Sequence, residues 1–141
     1  MHNPQIGVGI VITHKDLVLL IQRKNAHGAG SWSTPGGHLD YGEAPEQCAA
    51  RELMEEVNLT CGDIQFVAIT NDLFESLGKH YITIWMSAEY LSGEPQISAE
   101  YEVAQVGWFG WDHLPEPLFL PLQNLLHGKS YPPHAFRRSI K

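Results

Sequence analysis

The sequence predicts an α+β fold, a mixed β-sheet with helices packed on it. Three observations predict it. β-branched and aromatic runs come in two groups, each group is closed by one amphipathic helical segment, and strand and helix do not alternate regularly as in a doubly wound fold. The 141 residues, 43% of them hydrophobic and 18% charged, fit one domain, residues 1–141, with its own core.

The elements follow in order. Residues 6–13 (IGVGIVIT) form a short β-branched run, read as a buried strand, and residues 16–23 (DLVLLIQR) form a second. His14-Lys15 joins them as a hairpin. Residues 25–31 (NAHGAGS) make a glycine-containing loop, and Trp32–Thr34 leads as a short extended piece into Pro35-Gly36-Gly37. Pro45 stands at a first helical position, and the helix runs to Val57 with Ala49, Ala50, Leu53 and Val57 as its apolar side and its carboxylates on the other. Residues 63–71 and 80–90 read as two longer strands joined through Gly78-Lys79, and residues 105–111 as a further strand. Leu118, Leu122, Leu125 and Leu126 set the core face of a last helix over residues 118–127, stopped by Gly128. The tail from Tyr131, with Pro132-Pro133 and Arg137-Arg138, is either loosely held or packed on a partner subunit.

Composition narrows the function classes. A net charge of -7 argues against a nucleic-acid polymer as partner, because phosphate backbones favour Lys and Arg. No apolar run approaches the ~20 residues that span a bilayer, and the N-terminal residues show no signal-peptide pattern, so no membrane partner is expected. Two cysteines, Cys48 and Cys61, make no disulfide framework, and a reducing cytoplasm is the simpler expectation. The scattered histidines give no zinc pattern.

The chemistry concentrates between Gly36 and Leu59. A glycine turn precedes a helix on which Glu52, Glu55 and Glu56 stand at i, i+3 and i+4, neighbours on a helix surface. Three close carboxylates repel one another unless a cation sits among them. Oxygen-only donors suit a hard divalent ion such as Mg²⁺, Mn²⁺ or Ca²⁺. The bland alternative is a solvated face with weak i,i+4 ion pairs, and the fixed offsets of the glycines and Glu43 argue against it.

Gly37-x5-Glu43-x7-Arg51-Glu52-Leu53-x-Glu55-Glu56-x-Asn58-Leu59 resembles the Nudix box, GX5EX7REUXEEXGU with U aliphatic, over 23 residues. Only the final glycine differs, being Asn58 here. The hairpin ending in Arg23, Ser33-Thr34-Pro35 and Trp108-Phe109 extend the resemblance, which is nearest to MutT-type nucleoside triphosphate pyrophosphohydrolases. GSWSTPGGHLDYGE is similar to the MutT-homologue-2 branch that hydrolyses modified nucleotides.

The resemblance implies the Nudix fold, a mixed sheet sandwiched between helices (α/β/α). It implies Mg²⁺, with Mn²⁺ as a substitute, held by Glu52, Glu55, Glu56 and the Gly36 carbonyl. A further acid is expected before Trp108, where Glu102 fits better than Glu100. Glu52 or Glu56 would take the proton of the attacking water. Arg51 would pair with Glu43 and brace the loop. Arg23 either meets a substrate phosphate or is a solvated strand end, and His38 either donates to a phosphate or caps the turn. Phe74, Tyr81 and Trp85 are candidates for a base-stacking wall, and Gln123 or Asn124 for a base-edge contact.

The expected activity is hydrolysis of a nucleoside triphosphate to the monophosphate and pyrophosphate. The alternatives are a hydrolase of nucleoside diphosphates linked to another group, such as ADP-ribose or dinucleoside polyphosphates, and a nucleotide-sensing module without turnover. The apolar strands and aromatic C-terminal half are compatible with a homodimer.

Overall fold

The computed structural model describes residues 3–136. The Arg137-Arg138 part of the tail lies outside them. The elements are strands β1 (Gln5–His14), β2 (Leu17–Arg23), β3 (Trp32–Ser33) and β4 (Gly36–His38), helix α1 (Pro45–Val57), strands β5 (Thr60–Cys61), β6 (Gln65–Phe74), β7 (Lys79–Ser92) and β8 (Val103–Gly110), and helix α2 (Leu120–Leu126). A single 3₁₀ turn, Glu75–Leu77, joins β6 to β7.

The β1–β2 hairpin closes through Lys15 and Asp16, both at positive φ (51° and 64°). Paired left-handed residues match the twist of the flanking strands. β1 runs parallel to β7 from Gln5↔Tyr81 to Thr13↔Glu89. On its other edge β1 divides its pairing. Gly7–Gly9 pair with β4, whereas Thr13 and His14 pair with β2. That divergence opens the sheet at Gly9, and a cleft lies there. β6 and β8 extend the sheet against β7 and β2.

Both faces of the sheet are covered, as continuous apolar strands require. Ile10, Ile12, Leu19 and Ile21 face α1 through Cys48, Ala49, Leu53 and Val57. Val11, Val18 and Leu20 point the other way, onto Trp85, Leu122 and Leu125. The strands therefore alternate between two cores, which makes the three-layer arrangement expected above.

The limits of α1 are those expected, but its faces differ. Ala50 is exposed and Cys48 is buried in its place. The carboxylates do not all lie on the outer side, because Glu56 is 6% exposed and belongs to the core face. It stands seven residues after Ala49 and three after Leu53, which is a core position of the helical stripe. α2 is shorter than its leucines suggest. Leu118 instead forms an isolated bridge with Trp32, and Phe119 is extended (φ −64°, ψ 140°). Pro121 then occupies the first turn, where its missing N–H is no loss. Strands β4 and β5 were not expected from the sequence.

Asn58 ends α1 in the left-handed region (φ 59°, ψ 44°), its N–H donating to the Met54 carbonyl at 3.0 Å. Asn enters this region through local hydrogen bonding and Gly enters it freely, whereas a β-branched residue is strained there. Asn58→Gly is expected to keep stability within roughly 1 kcal/mol, and Asn58→Val to lose roughly 1–2 kcal/mol. Thermal melts decide it, and equal tolerance of Val and Gly would refute the strain argument.

Candidate active site

The site is built where α1 passes under the glycine strand β4. A Cβ on Gly36 would lie 2.2 Å from the Val8 carbonyl oxygen, and one on Gly37 would lie 2.3 Å from Glu52 Oε2. Only glycines let β4 pair with β1 on one side and receive the α1 carboxylates on the other. The Gly36 N–H donates to Glu56 Oε1 at 3.0 Å, tying strand to helix.

Arg51 organises the outer part. Its Nε and Nη2 donate to the two oxygens of Glu43 at 2.7 and 3.0 Å, the planar fork suited to a carboxylate. Its Nη1 donates to Glu52 at 3.0 Å and Glu55 at 3.2 Å, and Nη2 also donates to the His38 carbonyl at 3.2 Å. Glu43 in turn accepts from the Asp40 N–H at 3.0 Å. Turn and helix are thus clamped together through one guanidinium.

The electrostatics separate the acids. The hydrogen bonds from Arg51, then that from Asp40, lower the Glu43 pKa to about 2. Burial, reinforced by Glu55 and resisted by Arg51, raises that of Glu52 to about 7. Burial raises Glu56 to about 8, opposed by the Gly36 hydrogen bond and reinforced by Glu52 and Glu102. Glu102 is exposed but is brought to this cluster, since its charge is felt at Glu52, Glu56 and Arg23. Its carbonyl accepts from the Lys24 N–H at 3.0 Å, which fixes its turn to the end of β2. Burial pushes the Cys48 thiol up to about 12, so this cysteine is a packed, inert group.

The donor set is oxygen-only and crowded with like charge, which fits a hard divalent cation. Among the described residues, however, no three His, Cys, Asp or Glu side chains converge on one point. Arg51 holds Glu52 and Glu55, and the Gly36 amide holds Glu56.

Beside the carboxylates lies a cleft bordered by Gly36, Gly37 and His38. Its far wall carries Arg23, His27, Phe74, Tyr81 and Phe119. Arg23 is not a solvated strand end. Its guanidinium lies 3.8 Å from the Phe119 ring centroid, and Nε donates to the His27 carbonyl at 3.1 Å. Burial lowers its pKa, with Glu56 and Glu102 opposing. His38 also borders the cleft, its Nε2 3.2 Å from the Tyr81 hydroxyl.

Of the three candidate stacking rings, Phe74 and Tyr81 border the cleft and meet edge to face at 6.0 Å, whereas Trp85 borders it but is 1% exposed and packs in the core, its Nε1 donating to Thr70. Gln123 is a correction, since it lies outside this cleft and donates to the Leu118 carbonyl. Asn124 is occupied as well, donating at 2.9 Å to the fully buried Asp72. Asp72 also accepts from the Thr83 hydroxyl at 2.6 Å, and Thr83 borders the cleft. His27, Thr83 and Phe119 went unmarked in the sequence. None belongs to a motif, and only His27 carries a hint, as the lone polar ring in the loop after Arg23.

The candidate site thus sits in an α/β/α sandwich where a glycine strand lies over an acidic helix and borders an aromatic cleft. The chain belongs to the NUDIX domain family, whose model matches residues 3–128. It is 34% identical over 106 residues to the NAD-capped RNA hydrolase NudC of Pseudomonas aeruginosa, covering 75% of this chain and 36% of that protein. It is 35% identical over 97 residues to the 8-oxo-dGTP diphosphatase of Escherichia coli, covering 67% and 73%. The crystal structure of a MutT NUDIX hydrolase from Burkholderia pseudomallei superposes with a TM-score of 0.80 at 32% identity, covering 84% of this chain and 92% of that one. The chain thus spans little more than a third of the NudC relative's length. No helix among the described residues is long and apolar enough to cross a membrane.

Proposed function

We propose that this chain hydrolyses a phosphoric anhydride bond of a nucleoside triphosphate, releasing the monophosphate and pyrophosphate with Mg²⁺, or Mn²⁺ in its place. The observation that carries the reading is the junction of two features at β4. Buried Glu56 and partly buried Glu52 meet the Gly36-Gly37 backbone from one side, and the cleft with Arg23 and its aromatic rings opens from the other.

Glu52, Glu55, Glu56 and the Gly36 carbonyl would hold the cation, with Glu102 contributing charge at the rim. Bound there, the ion supplies neutralisation of phosphate charge and activation of water. Glu52 or Glu56 accepts the proton of the attacking water. Water adds to an internal phosphorus, and the bond from that phosphorus to the bridging oxygen of the departing pyrophosphate breaks. Arg51 positions Glu52 and Glu55 while Glu43 holds Arg51 in place. Arg23 and His38 face the phosphates, and Phe74, Tyr81 and Phe119 stack the base.

The test is a panel of ribo- and deoxynucleoside triphosphates, an oxidised purine triphosphate, ADP-ribose and NAD, each with and without Mg²⁺, with products separated. Monophosphate and pyrophosphate from at least one triphosphate is the expected result. Orthophosphate alone, or no triphosphate turnover, would overturn it. The NudC relatives favour a second reading, cleavage of a nucleotide diphosphate linkage, for which turnover of NAD or ADP-ribose alone would decide.

A further inference from the structure

The loop between β2 and β3 is tightly built although it carries no motif. The Gly30 N–H donates to the Arg23 carbonyl, and the Ser31 N–H and hydroxyl both donate to the Gly28 carbonyl. Gly28 has φ +80°, and a Cβ there would lie 2.6 Å from the Phe119 ring, so the loop closes onto that ring only with glycine. Arg23 Nε holds the His27 carbonyl from beneath. The result is a fixed backbone that sets the His27 ring among three others. It stands edge to face with Phe74 at 4.8 Å, is stacked on Tyr81 at 5.6 Å with 13° between planes, and is tilted on Phe119 at 5.5 Å.

One atom in this cage is unsatisfied. His27 Nδ1 is shut away from water and has no hydrogen-bond partner among the described residues. A buried polar atom without a partner is a standing cost, and binding a partner removes it. Protonation does not relieve it. Burial, with Arg23, Lys79 and His38 nearby, lowers the His27 pKa to about 4, so the ring is neutral and offers one donor and one acceptor. The ring borders the cleft. A group bound there can supply the missing partner once the ring turns about Cβ–Cγ.

We propose that His27 is a specificity-determining residue, which selects among nucleobases by a hydrogen bond from its ring to the polar edge of the bound base. A base is the partner, rather than a sugar hydroxyl, because the three neighbours around this ring are themselves aromatic rings. The inference rests on the nucleotide reading of the cleft, but not on turnover.

The experiment therefore measures binding of nucleoside monophosphates, ribo and deoxy, carrying each of the common bases. The wild type, His27→Phe and His27→Asn are compared. Phe keeps the ring stack and removes the nitrogens, and Asn keeps a polar atom where Nδ1 stands. The wild type is expected to rank the bases. His27→Phe should weaken the best-bound base about tenfold and compress the ranking, while His27→Asn should preserve its order. An unchanged ranking in His27→Phe, or a change confined to the ribo-to-deoxy ratio, would overturn the proposal, as would failure of the wild type to bind any monophosphate. If the wild type ranks monophosphates but cleaves no triphosphate, the hydrolase reading falls and the role of His27 is decided by the variants alone.

Discussion

Glu56→Gln is expected to lower turnover by about 10²–10⁴-fold while the fold survives. The glutamine amide oxygen still accepts the Gly36 N–H that Glu56 now accepts, so the tie between α1 and β4 is kept. What is lost is a buried carboxyl that, among the described residues, is bonded to no cationic side chain and whose ionised form is disfavoured by burial, Glu52 and Glu102. At pH 8 and above, where it ionises, its removal should leave the metal-free protein as stable as the wild type or more so. Glu55→Gln should also cost orders of magnitude in turnover with little effect on stability, because the Glu55 side chain is 57% exposed and, among the described residues, is joined to Arg51 by an i,i+4 pair. Glu102→Gln should cost less than either, since Glu102 acts from the exposed rim. Steady-state kinetics and melting curves of the three variants test this together. Near-normal turnover in both helix variants would remove the metal-site assignment.

Without divalent cation, the melting temperature should fall as pH rises from about 5 to about 9. The sign follows from linkage. Glu52 and Glu56 have folded pKa values raised to about 7 and about 8. The folded chain holds those protons more tightly than the unfolded chain, whose glutamates titrate near 4.5. Their contribution is complete below that value and disappears as pH climbs through 7 and 8. For Glu56 the loss is on the order of a few kcal/mol. Glu43 behaves oppositely. Its pKa is depressed to about 2, so its contribution is present above the unfolded value and lost as pH falls through 2. Glu56→Gln should flatten the alkaline limb, and Mg²⁺ should raise the melting temperature more at pH 8 than at pH 5. A flat profile between pH 5 and 9 would show that these carboxylates are not buried and crowded as described.

What was legible in the sequence was whatever carried a side-chain period or a fixed backbone requirement. The β1–β2 hairpin, both ends of α1 and the left-handed Asn58 belong here. Strand β4 was illegible because Gly36-Gly37-His38 has no alternation to read, and its pairing depends on the absence of side chains. The burial of Glu56 was legible in principle, seven residues beyond Ala49, but a carboxylate on a helix reads as solvated until the glycine strand above it is seen. Gln123 misled because a polar residue on a leucine-rich helix suggests an outward contact, whereas its amide folds back on the Leu118 carbonyl that precedes the helix. His27 and Phe119 come from two loops far apart in sequence, and only the closure at Gly28 brings their rings together.

Calorimetric titration of Mg²⁺ into the wild type, Glu56→Gln and Glu46→Gln at pH 8 tests whether the α1 carboxylates beneath β4 hold a divalent cation. Glu46 is an exposed acid in the first turn of the same helix and serves as the control for charge alone. Saturable binding to the wild type and Glu46→Gln with matching affinities is expected, and affinity at least about tenfold weaker in Glu56→Gln. Equal binding by all three proteins, or none by the wild type, would contradict cation binding by these carboxylates.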